Sequence, residues 1–180
     1  PDTSYGIADK VWGRAPGEGW GFINCSDLTS KRNGRLTDSA FAFGRGMRIQ
    51  VGPIDTENEV IGGVYLEGDT YEFNFSKVWT LTQNKIQVKQ NDNKILFTII
   101  EETPTTRIKI RVLSKKPDMR LVVFDTPSGE KRKVLEGGNG KAEIILERKK
   151  ISLKNKWEWE RVDTLTGDNV YISYMDRKKK

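Results

Sequence analysis

Histidine is absent from the 180 residues, and cysteine occurs once, at Cys25. The first absence removes the side chain that titrates near neutral pH. With it go an intact Ser-His-Asp triad, a Cys-His dyad, a His-ligated zinc site and an axial haem histidine. The single cysteine excludes an intramolecular disulfide framework and fits a reducing intracellular compartment or organelle interior better than a secreted location. Long apolar runs are missing as well. The longest, Ile95 to Ile100, includes Thr98, far short of the ~18 residues that a membrane-spanning helix needs. No close pair of Asp or Glu in an apolar setting offers itself for acid-base work. The series Gly13, Gly17, Gly19, Gly21 is not followed by the GK[ST] of a phosphate loop. Together these absences predict a non-catalytic protein with no metal and no cofactor.

What is present is strand chemistry and uneven charge. Arg107-Ile108-Lys109-Ile110-Arg111-Val112, Ile86-Gln87-Val88-Lys89 and Trp157-Glu158-Trp159-Glu160-Arg161-Val162 alternate polar with apolar. That period of two puts one face of a strand on a core and the other in water. The β-branched or aromatic runs Arg120 to Phe124, Ala142 to Leu146 and Val170 to Tyr174 predict further strands. Asn33-Gly34, Pro127-Ser128-Gly129, Gly137-Gly138-Asn139-Gly140 and Thr166-Gly167-Asp168-Asn169 carry the turn chemistry of hairpins. The glycines interrupt Leu135 to Lys149, so that segment predicts a hairpin and not a helix. The fold class is all-β with little helix.

Residues 1–90 hold 10 Lys/Arg against 11 Asp/Glu, and residues 91–180 hold 21 against 14, so the net +6 belongs to the second half. The sign changes near the polar stretch Gln90-Asn91-Asp92-Asn93-Lys94, which predicts a boundary between a 1–90 domain and a basic antiparallel β domain at 91–180 with a charged C-terminal tail. A hairpin turn is the other reading of the same five residues. Lys115–Lys116, Lys131–Lys133, Arg148–Lys150 and Arg177–Lys180 are basic clusters of the second half. Such clusters either neutralise phosphates or form a solvated face.

Aromatics concentrate in the first half. Val11-Trp12, Gly19-Trp20-Gly21-Phe22-Ile23 and Ala40-Phe41-Ala42-Phe43 follow one another at short spacing. Alternation puts Trp20 and Phe22 on one face of their strand, and Phe41 and Phe43 on one face of theirs. If the two strands pair with these faces together, the rings form a platform on which bases can stack at roughly 1–3 kcal/mol each. Lys31, Arg32, Arg35, Arg45 and Arg48 flank it, opposed by Asp38. The competing reading is that such rings are core, since Trp and Phe bury large apolar areas in small barrels.

From about Tyr5 to Phe75 the chain resembles a divergent cold-shock domain. The family's Lys-Trp is similar to Val11-Trp12, and its Lys-Gly-Phe-Gly-Phe-Ile to Glu18-Gly19-Trp20-Gly21-Phe22-Ile23. Its Val-Phe-Val-His is similar to Ala40-Phe41-Ala42-Phe43, and its Glu-Gly-Gln-x-Val-x-Phe to the segment from Glu67 to Phe73. Glu18 replaces a lysine and Phe43 a histidine. The resemblance implies a small OB-type five-stranded barrel, followed here by a second antiparallel sheet in sandwich or meander form. It also implies single-stranded RNA or DNA binding through Trp12, Trp20, Phe22, Phe41 and Phe43. An architectural subunit of a large assembly, such as an organellar ribonucleoprotein or membrane complex, would use the same barrel as a scaffold for protein partners. A carbohydrate-binding β-sandwich would use the aromatics on sugar rings.

Overall fold

The computed structural model describes residues 20–51, 54–74, 81–125, 129, 131–152 and 156–175, with side chains left aside at 20, 45–51 and 54–59. The strands in chain order are β1 (Trp20–Cys25), β2 (Leu28–Ser30), β3 (Gly34–Arg35), β4 (Ser39–Val51), β5 (Ile54–Leu66) and β6 (Asp69–Asn74). They continue with β7 (Gln83–Gln90), β8 (Lys94–Glu102), β9 (Thr106–Lys115), β10 (Arg120–Asp125), β11 (Lys131–Ile151) and β12 (Trp157–Met175). The helical content of the described residues is one 3-10 turn, Lys116–Asp118. The protein is all-β, as the alternation predicts.

All twelve strands belong to one antiparallel sheet with the order β6-β5-β4-β1-β12-β11-β9-β8-β7; β10 adds to β11, and β2 with β3 adds to β12. From β1 the chain meanders outward through β4, β5 and β6. It restarts at the far edge with β7 and meanders back until β12 pairs with β1, Ile172 opposite Ile23. The sheet curls. Tyr71 on β6 and Arg148 on β11 stand five strands apart in that order, which is about 24 Å on a flat sheet. Yet Arg148 Nη2 donates to the Tyr71 hydroxyl at 3.4 Å, and its guanidinium lies 5.9 Å from the ring centroid. The result is a half-barrel whose concave face is the core.

Both halves of the chain fill that core. Ile23, Phe41, Phe43 and Phe73 share one buried cluster with Phe97, Ile110, Ile144, Leu165 and Ile172. The stretch from Gln90 to Lys94 is the turn of the β7–β8 hairpin, where the Asn91 side chain accepts from the backbone of Asn93 and Lys94. Strands from either side of it lie in the same sheet.

Two of the glycine clusters do not make the hairpins expected of them. Gly137 to Gly140 lies inside the 21-residue β11, at shifts of register between Gly137 and Ala142. Thr166 to Asn169 lies inside the 19-residue β12. The physical reason is close approach. A Cβ on Gly137 would stand 2.9 Å from Met119 Cγ, and one on Gly140 would stand 3.0 Å from the Val170 carbonyl. Residues that permit unusual backbone serve a bulge as readily as a turn. By contrast, Gly34 at φ 76 does turn β2 into β3, and Glu67-Gly68 at φ 48 and 99 closes β5–β6 as a two-residue loop, the geometry favoured by the right-handed twist.

Cys25 lies in this core. Its thiol donates to the Asp168 carbonyl at 3.1 Å, and burial pushes it up from 9.0 to about 11, against the lowering effect of its hydrogen bond to the Asp27 carbonyl and with smaller rises from the negative charges of Asp27 and Asp168. The neutral form is therefore the one that the fold favours. Its contribution to stability is fully present below pH 9 and declines as pH rises toward 11. At pH 8 the native protein should resist a thiol reagent that labels the urea-unfolded chain within seconds. Equal labelling rates in the two states would contradict a buried, neutral thiol.

Candidate functional site

The pairing of β1 with β4 decides the fate of the expected platform. Ile23 stands opposite Phe43 and Cys25 opposite Phe41, while Phe22 stands opposite Gly44. Directly opposed residues share a face, so Phe41 and Phe43 point into the core with Ile23, and Phe22 points the other way. Phe41 and Phe43 are each 1% exposed. Their rings pack on each other at 6.4 Å between centroids, and Phe43 packs on Phe73 at 6.1 Å. Neither offers a face to a ligand. Phe22 is half-buried, with its Cδ2 close to Gly44.

The remaining expected residues do not gather around these rings. Trp12 lies outside the described residues. Trp20 opens β1, and Arg45 and Arg48 belong to β4; these three are described as strand positions only. Lys31, Arg32 and Arg35 are exposed on the β2–β3 turn. Arg35 pairs with Asp27 at 3.4 Å, and Arg32 donates to the Arg161 carbonyl at 3.1 Å. That turn is fixed to β12 from below: Ser30 Oγ donates to the buried Asp163 carboxylate at 2.6 Å and accepts from the backbone N–H groups of Arg32 and Asn33.

A different surface brings cations and an open ring together. On the convex side of β7, β8, β9 and β11, the residues between the core positions form rows across the strands. Lys85, Ile100, Lys109 and Ile145 make one row, Gln87, Thr98, Arg111 and Glu143 the next, and Lys89, Leu96, Leu113 and Lys141 a third. Glu102, Arg107 and Glu147 begin a fourth. Cations two residues apart on one strand stand about 6.8 Å from each other, and β7 and β9 are separated by about 9.6 Å. Six cations thus share a face with three acids.

Those acids are already occupied. Glu147 accepts from Arg107 Nε at 2.7 Å and pairs with Lys109 at 3.3 Å. Burial works against its charge, but the hydrogen bonds from Arg107 and Lys109 outweigh it and hold its carboxyl below the usual range. Glu102 approaches Arg107, and Glu143 approaches Arg111, both at 3.9 Å. Among the described residues Lys85 and Lys89 have no carboxylate within 4.0 Å.

The face ends at the β11–β12 hairpin. There the Arg107 guanidinium lies 4.4 Å and the Lys149 ammonium 5.2 Å from the centroid of the Trp159 ring. These contacts hold Trp159 in place and concentrate positive charge beside it. Two residues earlier Trp157 is 65% exposed, opposite Ile151 in the register.

These cations were in view in the sequence as the polar members of alternating strands. Searching for contiguous basic clusters passes over them, because a strand spreads its like charges over every second residue. Among the described residues no three Cys, Asp or Glu side chains assemble a metal-binding group. No helix among them is long and apolar enough to cross a membrane. No protein-family model, curated protein or solved structure matches the chain.

Proposed function

We propose that the chain is a non-catalytic binder of single-stranded RNA or DNA, and that the strand runs along the convex face of β7, β8, β9 and β11 toward Trp157. The observation that carries this reading is a largely exposed tryptophan at the end of a face whose cations outnumber its acids and whose acids are already neutralised. Phosphates meet Lys85, Lys89, Lys109 and Arg111, and a base stacks on Trp157. Cationic grooves combined with open rings are the common design of sequence-tolerant single-strand binding. The resemblance of residues 5–75 to cold-shock domains points to the same ligand class, although the buried Phe41 and Phe43 take no part in it here.

Binding of a short fluorescent single-stranded oligonucleotide, followed by anisotropy across a salt series, tests this. Affinity should fall steeply with salt, and replacing Lys85, Lys89 and Arg111 by glutamine should flatten the log–log slope by about 2, at ~0.7 per phosphate contact. Trp157→Ala should weaken binding roughly tenfold to a hundredfold, the range for losing one stacked base. No binding at low salt, or binding indifferent to both variants, removes the proposal.

A second reading, an architectural subunit of a larger assembly, is favoured by one observation. Leu121, Val123 and Phe124 on β10 are all exposed, and apolar side chains grouped in this way mark protein contacts more often than nucleic-acid ones. An isolated protein that ignores oligonucleotides yet sits in a stable particle of fixed composition is the outcome that would choose it.

A further inference from the structure

The β10 strand leaves the half-barrel. β9 runs along β11 from Arg148 to Lys141, the 3-10 turn and Met119 interrupt it, and β10 then follows the same edge of β11 from Glu136 to Lys131. The neighbouring strand has ended by then, because β8 begins at Lys94, opposite Lys115. On the other side of β11 the ladder with β12 begins at Leu135 opposite Tyr174. Beyond that point Val122 to Asp125 and Lys131 to Val134 form a two-stranded ribbon. Among the described residues β10 is hydrogen-bonded to β11 alone.

This ribbon is unusual in its chemistry. Leu121 is 60%, Val123 48% and Phe124 46% exposed. By alternation Leu121 and Val123 lie on one face and Phe124 on the other, so each face of the ribbon carries exposed apolar groups beside cations of β11, Lys131 and Lys133 on the first and Arg132 on the second. Among the described residues the outer backbone edge of β10 is unpaired. Two strands alone are marginal in water, and a third with an apolar face stabilises them. Natural edge strands discourage pairing with an interior charge, a proline or a bulge. Arg120-Leu121-Val122-Val123-Phe124-Asp125 has none of these between its ends. Its charges stand only at the ends, and they are opposite in sign.

We propose that β10 is a self-pairing edge through which two copies of the chain join, β10 against β10, antiparallel about a two-fold axis through Val122. Such an axis keeps every side chain on its own face and places a central residue opposite its own copy. With Val122 at the centre, Leu121 faces Val123 of the second copy, so the exposed apolar groups of that face cover each other, and on the other face Arg120 of one copy lies against the Phe124 ring of the other. The charges select the direction. Parallel in-register pairing would set Arg120 beside Arg120 and Asp125 beside Asp125 on shared faces, whereas antiparallel pairing about Val122 avoids both like-charge contacts. The contact is a short strand pair, below the ~1,200 Å² of a standard interface, so the dimer belongs to the weak class. It joins two convex basic faces in one particle but does not depend on what those faces bind.

Sedimentation velocity from 1 to 500 μM, without any oligonucleotide, reads the monomer–dimer equilibrium. The full chain should dimerise within that range, and Leu121→Lys with Val123→Lys should raise the dissociation constant at least tenfold. Both side chains are largely solvent-exposed, so the variant should keep the wild-type circular dichroism and urea midpoint. In a Cys25→Ala background, Val122→Cys should form an intermolecular disulfide under mild oxidation. Opposed Cα atoms in an antiparallel pair lie about 4.5–5.5 Å apart, within disulfide reach. Leu121→Cys, displaced from its own copy, should cross-link far more slowly. A wild type that stays monomeric to 500 μM overturns the proposal. So does a dimer that survives both lysines, or one in which Leu121→Cys cross-links as fast as Val122→Cys.

Discussion

Replacing Phe43 by alanine should remove about 3–5 kcal/mol of folding stability, the usual loss when a fully buried phenylalanine is truncated. The ring is 1% exposed, and it joins three elements. On its own strand it touches Phe41, across β5 it touches Phe73, and it stands opposite Ile23 on β1. Truncation leaves a cavity at the junction of the first meander with the strand that receives β12, where neighbours held in three ladders cannot collapse inward. A typical domain is stable by only about 5–15 kcal/mol, so the variant should unfold at much lower urea with an unchanged m value. The same substitution made in the belief that Phe43 stacks on a base would appear to abolish binding, because the protein would no longer be folded. A loss below 1 kcal/mol would show that the ring is not the core element described above.

The classes of information that the sequence carries differ sharply in range. Every alternating run named from the sequence lies in a strand: Arg107–Val112 in β9, Ile86–Lys89 in β7, Trp157–Val162 in β12. A period of two is a property of the strand itself and needs no partner to be read. Register is not local. Whether Phe43 meets Ile23 or Phe22 across the ladder is a matter of one residue, and a one-residue slip exchanges the two faces of a strand. The aromatic platform rested on that one residue, and the pairing Ile23 with Phe43 sends Phe41 and Phe43 to the core.

Closure was equally out of reach. Nothing local announces that Ile172 will lie beside Ile23, and the change of charge sign at Gln90–Lys94 coincides with a tight turn inside the sheet. The long strands hid for a related reason. Gly137–Gly140 and Thr166–Asn169 have the composition of turns, and only the approach of Met119 to one and of Cys25 and Leu28 to the other makes them bulges. The basic convex face was half legible: Lys85 and Lys89, or Lys109 and Arg111, reveal their side by alternation, but their assembly into one surface depends on the order β7-β8-β9-β11.

Gly62→Ala should be among the costliest small substitutions in the chain, at about 3 kcal/mol, the upper part of the range for overpacking a core. Gly62 lies on β5 between Phe43 of β4 and Phe73 of β6. Strands two places apart are separated by about 9.6 Å, yet the centroids of these two rings are 6.1 Å apart, because the intervening residue contributes no side chain. A Cβ there would clash with the Ala42 carbonyl oxygen and with Phe43 Cδ1. One clash is with a ring that can be removed, the other with backbone that cannot. The two parts are separable by a double-mutant cycle. In a Phe43→Ala background, or in Phe43→Leu if that variant folds better, Gly62→Ala should cost about 1 kcal/mol less than in the wild type, the coupling expected of residues in direct contact. The rest of the penalty should persist, because the carbonyl remains. Strict additivity in urea denaturation would mean that the ring yields without cost, and would place the whole burden of Gly62 on the β4–β5 backbone.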